Sequence, residues 1–287
     1  MRRFINRMDH YPSIFEDREI EFLCSCKGLV WISLTPRGWS KEFYIWNPST
    51  EVYKNIPRPP FVDYEDVYGE IEGYGFCYDN KTDDYKLIRV LAEETSRCSN
   101  IDVYSLNLNS WRTIQGLPYY LYKRHSGVLF CGALHWLART SGKYSTVLVR
   151  LDIIHERFEE IALPEAPMPY PEEPLEKNMF AIDVAVLGGC LCLVFRVFRV
   201  RVDIWMMQDY GVGESWTKSF SITVEDITNS WYLEVIWSFK NDEILWAVDR
   251  GLILYEPKNK TYKKTVLNSV TERGIIARNY TISSVSL

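Results

Sequence analysis

Five times along the chain a strand-like apolar run ends in a tight polar turn and is followed by an aromatic residue: YIWNPSTEVYK, DVYSLNLNSWR, LVRLDIIHERFE, DIWMMQDYGVGESWTK and LILYEPKNKTYK. Four copies share one spacing, seven residues from an anchor to the aromatic: Trp46 to Tyr53, Tyr104 to Trp111, Leu151 to Phe158 and Tyr255 to Tyr262. The remaining copy, Trp205 to Trp216, carries four extra residues in its turn. Successive anchors fall 58, 47, 54 and 50 residues apart, close to the period of four-stranded propeller blades. The expected fold is an all-β propeller of kelch-like blades. The rings at positions 53, 111, 158, 216 and 262 are expected to fill the gaps between neighbouring sheets.

Each copy parses into four strands. The second reads EGYGFCYD, DYKLIRVLA, IDVYSLN and SWRTIQ, broken by turns rich in Asn, Asp and Ser, which tolerate tight reversals. Five blades complete themselves in this way, and SVTERGIIARNYTISSVSL is left over, enough for part of a sixth. The expectation is therefore five complete blades plus an incomplete sixth. Residues 1–19 form an N-terminal segment with little structure, and residues 20–287 form the propeller.

The parse also sorts the connections. In a four-stranded meander the turns between first and second and between third and fourth strands lie at one end, and these are short here. The other end receives the long loops, and recognition usually resides in loops on a rigid scaffold. Those loops are rich in acidic residues and account for the negative excess of a chain whose net charge is −5. Phe61, Tyr64, Tyr68, Tyr119, Tyr120, Tyr170 and Trp231 lie in or beside them, with Asp63, Glu65, Asp66, Glu172 and Glu173. Aromatic anchors beside charge describe a protein-binding surface, here one for a basic target.

Aromatic residues make up 15% of the chain, which suits pleated sheets packed on both faces. The acidic balance argues against nucleic acid, since phosphate binding needs concentrated Lys and Arg. The basic run from Arg196 to Val202 alternates with apolar residues and reads as a strand with solvated ends. Neither a membrane-spanning run nor the apolar core of a signal peptide is present, so a cytoplasmic or nuclear location is expected. Cys24, Cys26, Cys77, Cys131, Cys190 and Cys192 lie in or beside apolar strands and read as small buried hydrophobes, and the two C-x-C pairs lack the partners of a metal set.

Motifs of catalysis are missing as well: there is no G-x-S-x-G, no H-E-x-x-H and no phosphate-cradling glycine loop. His135, inside the apolar run GALHWLA, reads as a hydrogen-bonded core residue. No cofactor or metal is expected, and no enzymatic activity. The competing class is a glycan-binding or hydrolytic propeller, for which the first strands offer Asp79, Asp183 and Glu234.

LCSCKGLVWI, FYIWNPSTEVYKNIP, YGFCYDNKTDDYKLIRV, VYSLNLNSWRTI, GVLFCGALHWLA, FEEIALP, VLGGCLCLV, DIWMMQDYGVGESWTKSFSI and YTISSVSL, in this order over residues 21–287, resemble the plant F-box associated interaction domain. That domain is the C-terminal part of F-box proteins, the S-locus type among them. The resemblance implies a propeller that selects the protein to be ubiquitinated, while an N-terminal F-box docks on the adaptor of a cullin-RING ligase. Residues 1–20 lack the Leu-Pro start, the helical periodicity and the Cys-Lys-x-Trp ending of an F-box. Two expectations follow: adaptor binding is in doubt, which leaves an F-box-less scaffold or decoy as an alternative, and the C-terminal strand is an orphan of an unsealed ring.

Overall fold

A computed structural model describes residues 12, 15, 18–35, 41–59, 71–92, 99–121, 125–140, 145–164, 180–197, 200–223, 233–248, 251–266, 284, 285 and 287. Its strands form five successive meanders, each antiparallel and in sequence order. The first contains β1 (Glu19–Cys26), β2 (Leu29–Thr35), β3 (Glu42–Trp46) and β4 (Tyr53–Ile56). The second contains β5 (Ile71–Asp79), β6 (Asp84–Ala92), β7 (Ser99–Ser105) and β8 (Ser110–Leu117), and is followed by two short strands, β9 (Tyr119–Leu121) and β10 (His125–Ser126). The third is built from β11 (Val128–Phe130), β12 (Ala133–Thr140), β13 (Thr146–Asp152) and β14 (Arg157–Ile161). The fourth has β15 (Phe180–Leu187), β16 (Cys190–Val197), β17 (Arg201–Met207) and β18 (Trp216–Thr223), and the fifth β19 (Leu233–Ser238), β20 (Ile244–Val248), β21 (Gly251–Glu256) and β22 (Thr261–Val266). The chain divides into two compact units: one holds the first two sheets and the described residues beyond 283, the other holds the remaining three sheets.

The constant seven-residue spacing has a backbone cause. In four sheets a non-glycine residue stands in the left-handed region five positions after the anchor: Glu51 (φ 60°), Asn109 (51°), Glu156 (54°) and Lys260 (53°). Each anchor lies directly opposite its aromatic across the last strand pair, as in Trp46 with Tyr53 and Tyr104 with Trp111. The residue after the anchor caps the turn. Asn47 Oδ1 accepts from Ser49 N (2.9 Å), Ser105 Oγ from Leu108 N (3.0 Å), and Asp152 Oδ1 from Ile154 N (2.8 Å). Where β17 and β18 meet, the longer turn shifts the pairing, so Trp216 faces Met207 and Trp205 faces Lys218.

The core consists of stacked apolar faces, with Trp31, Trp136 and Trp246 fully buried on the second strands of the first, third and fifth sheets. Leu23, Leu29, Trp31 and Phe43 of the first sheet pack with Phe76, Leu87 and Tyr104 of the second. Val194 and Ile204 of the fourth pack with Trp246 and Ile253 of the fifth. The expectation that five rings fill the gaps between sheets is met by Trp216, which is buried, and in part by half-buried Trp111, whereas half-buried Phe158 meets Trp136 of its own sheet. Tyr53 (40% exposed) and Tyr262 (45%) instead lie at the edge of their sheets. The two tryptophans differ because each indole donates to a carbonyl beyond the preceding sheet: Trp111 Nε1 to Pro57 O (2.7 Å) and Trp216 Nε1 to Ala162 O (2.8 Å). A tyrosine at that position has no such N–H. Tyr53 packs on Phe15, a buried ring of the N-terminal segment whose centroid lies 5.5 Å away, and Phe15 also meets Trp46 at 5.6 Å.

The incomplete sixth blade is corrected to this extent: five sheets account for the blade-forming strands among the described residues, and the leftover stretch 267–283 lies outside them. Beyond that stretch, Val285 and Leu287 are not in strands. They pack against the core of the first unit, where Asn47 Nδ2 donates to Val285 O (2.8 Å).

Candidate protein-interaction surface

Ser99 opens β7 and is fully buried, and its Oγ donates to the carbonyl of Tyr119 at 2.8 Å. That bond joins the start of β7 to β9, which follows β8. Tyr119 and Tyr120, both half-buried, sit there on β9. They are the two predicted contact residues that the structure places. Phe61, Asp63, Tyr64, Glu65, Asp66, Tyr68, Tyr170, Glu172, Glu173 and Trp231 lie outside the described residues.

In the second unit, a cluster that sequence reasoning missed surrounds Tyr210, in the lengthened turn between β17 and β18. His135 is fully buried; its Nδ1 lies 3.1 Å from Val128 O and its Nε2 2.9 Å from Tyr210 Oη. The Val128 carbonyl requires the proton on Nδ1, so Nε2 accepts the tyrosine O–H. Arg150 Nη1 donates to the same phenol oxygen (3.4 Å), and Arg150 also pairs with Glu159 through Nε (2.9 Å). Phe130 meets the Tyr210 ring edge-on at 5.3 Å. Burial, with the Arg150 charge adding to it, lowers the His135 pKa to about 4, so the imidazole is neutral at physiological pH. A neutral core histidine tied to a turn is a structural tether. The four extra residues of that turn were its only signal in the sequence.

The same turn approaches the segment after β14 closely. A Cβ on Gly213 would stand 2.6 Å from Ala162 Cβ, which is closer than such atoms come, so this position accepts only glycine without movement. Ser215 Oγ ties the turn to itself, its single O–H shared between the carbonyls of Val212 (2.7 Å) and Asp209 (2.9 Å).

Other buried charged groups are engaged within their sheets. Arg89 and Asp102, paired across β6 and β7, meet at 2.7 Å, and Thr113 Oγ1 donates to the same carboxylate at 2.7 Å. Asp203 holds the equivalent place in the fourth sheet and accepts from Ser221 Oγ (2.6 Å) and Lys218 Nζ (3.0 Å). Burial raises the Asp203 pKa, but Ser221, Lys218 and Arg201 outweigh it and hold the carboxyl below its usual range.

Two of the carboxylates considered for glycan chemistry are occupied in the same way. Asp79 caps its own hairpin at Lys81 N (2.9 Å) and pairs with Lys86 Nζ (2.8 Å). Burial pushes its pKa up, yet these partners bring it to about 2. Asp183 pairs with Arg196 at 2.5 Å, and Arg196 also donates to Leu233 O (3.0 Å), so the basic run contributes a bond between the fourth and fifth sheets. Glu234 is half-buried.

Burial raises the thiols of Cys26 and Cys192 to about 12, which keeps them protonated and poor nucleophiles. Cys131 departs from the buried expectation: it is exposed in the turn between β11 and β12, at φ 46°. Among the described residues no cluster of His, Cys, Asp and Glu could hold a metal ion, and no helix is long and apolar enough to cross a membrane.

Residues 4–286 match the F-box associated beta propeller domain. The chain is 34% identical over 227 residues to the F-box protein CPR1 of Arabidopsis thaliana, covering 70% of this chain and 52% of that protein. It is 26% identical over 250 residues to the F-box/kelch-repeat protein At3g23880 of the same plant, covering 86% of this chain and 64% of the relative. The chain thus spans about half to two thirds of the length of these relatives. Among solved structures it is similar to an exo-beta-1,3-galactanase from Phanerochaete chrysosporium, with a TM-score of 0.50, 8% identity and coverage of 87% of this chain and 62% of that one. At that identity the likeness is one of fold.

Proposed function

The chain belongs to the F-box associated beta propeller domain family, and from that premise we propose that it is a non-catalytic substrate-recognition module of an SCF-type (cullin-RING) ubiquitin ligase. Its role is to hold a protein target, and the chemistry of ubiquitin transfer belongs to other subunits. The observation that carries this reading is a division of labour along the chain. Ionisable groups inside the sheets are consumed by one another, as in Arg89 with Asp102 and Asp79 with Lys86, whereas acidic and aromatic residues accumulate in the long connections.

In this reading Phe61, Tyr64, Tyr68, Tyr119, Tyr120, Tyr170 and Trp231 are contact anchors. Asp63, Glu65, Asp66, Glu172 and Glu173 steer a basic target toward them. Opposite charges accelerate encounter more than they tighten the final complex, so the effect belongs in the association rate and fades as salt rises.

The test is to replace those five acids with lysine and to follow association with a captured target by surface plasmon resonance at low and high salt. Association should slow by about tenfold or more at low salt, with a smaller difference at high salt. Equal association rates at low salt would remove the proposal.

A further inference from the structure

Asn47 follows the anchor of the first sheet, where a turn needs a side-chain acceptor. The equivalent residue of the third sheet, Asp152, meets that need with a carboxylate alone, accepting from the backbone N–H groups of Ile154 and His155. Asn47 does the same work with Oδ1, which accepts from Ser49 N (2.9 Å). Fixing the oxygen there fixes the amide nitrogen on the other side. Asn47 is fully buried, and a buried N–H group requires an acceptor. Val285 O supplies one at 2.8 Å.

Val285 and Leu287 are two residues apart, the spacing that places side chains on one face of an extended segment, and both pack against the apolar cluster of the first unit. Leu23, Cys26, Leu29, Trp31 and Tyr74 belong to that cluster. Backbone capture by one amide, with apolar side chains at alternate positions, is the chemistry by which proteins bind extended peptides.

We propose that Asn47 and the apolar cluster of the first unit form a docking site for an extended segment with apolar side chains at alternate positions. In this chain its own Val285 and Leu287 occupy the site as a latch. The choice of Asn over Asp at position 47 is then explained by binding rather than by the turn. The inference is independent of target recognition by the long loops.

The full chain tests it. Val285→Asp with Leu287→Asp vacates the site, and a fluorescein-labelled peptide of residues 280–287 (YTISSVSL) is titrated against that variant by anisotropy. The expected result is saturable binding to the variant, about tenfold weaker when Asn47→Asp is added, and about tenfold weaker to the unaltered chain, whose own segment competes. Asn47→Asp keeps the acceptor for Ser49 N, removes the donor and sets a carboxylate oxygen against the Val285 carbonyl. No binding to the vacated chain, or binding indifferent to position 47, would overturn the proposal. Should the vacated chain fail to fold, hydrogen exchange of the unaltered and Asn47→Asp chains decides: faster exchange at residues 284–287 in the variant supports the latch, and unchanged exchange sinks it.

Discussion

Replacing Arg89 by methionine should be among the most damaging single changes in the first unit. Arg89 and Asp102 are each 1% exposed and meet at 2.7 Å, so removing the guanidinium strands a carboxylate where water cannot reach it. Thr113 still donates at 2.7 Å, but one hydroxyl does not neutralise the charge. Breaking a buried pair from one side costs about 3–5 kcal/mol.

The same place in the other sheets shows that the ion pair is not required for the fold. The equivalent cross-strand pairs are Trp136 with Val149 and Trp246 with Ile253, both apolar. Arg89→Met combined with Asp102→Val should therefore recover most of the loss and come within about 2 kcal/mol of the unaltered chain. Thr113 is exposed and can turn its hydroxyl to water.

Urea unfolding of the unaltered chain, the single variant and the double variant, followed by tryptophan fluorescence, measures the difference. A single variant that loses less than about 1 kcal/mol, or a double variant that is no better than the single, would refute the reasoning.

Three further outcomes are expected. His135 is neutral in the fold with a pKa of about 4 against 6.5 for the free side chain, so the unfolded chain takes up its proton first; stability should fall as pH drops from 6.5 toward 4, and His135→Gln should flatten that part of the pH–stability curve. Gly213→Ala should destabilise by about 1–3 kcal/mol through the contact with Ala162, read as a lowered urea midpoint, and pairing it with Ala162→Gly should relieve part of the loss. Glu156→Gly should raise the thermal midpoint, because a left-handed backbone costs a non-glycine residue about 1 kcal/mol; no change or a decrease would show that the turn carries no strain.

The strands and turns were legible because their cause is local. A left-handed residue five positions after each anchor fixes where the last strand must begin, and this produces the spacing of seven seen in the sequence. Where that geometry changes, between Trp205 and Trp216, the pattern flags the difference but not what the extra residues do.

Tyr210 reaching His135, 75 residues earlier, is a tertiary contact with no local signal. The same holds for β10, which adds to β5 as a parallel strand, since a two-residue strand has no readable period. Arg89 and Asp102 alternate with apolar neighbours as solvated strand residues would, and only the register shows that they neutralise each other. Of the predicted contact surface, Tyr119 and Tyr120 are placed, and their position rests on a hydrogen bond to Ser99 that no spacing encodes.

In the proposed reading this chain selects a protein through its acidic, aromatic long connections. Affinity capture from plant extract, quantified by mass spectrometry, tests it directly, with the unaltered chain compared with one carrying lysine at Asp63, Glu65, Asp66, Glu172 and Glu173. A small set of proteins should be held by the unaltered chain and lost from the variant. Identical sets on both chains would contradict it.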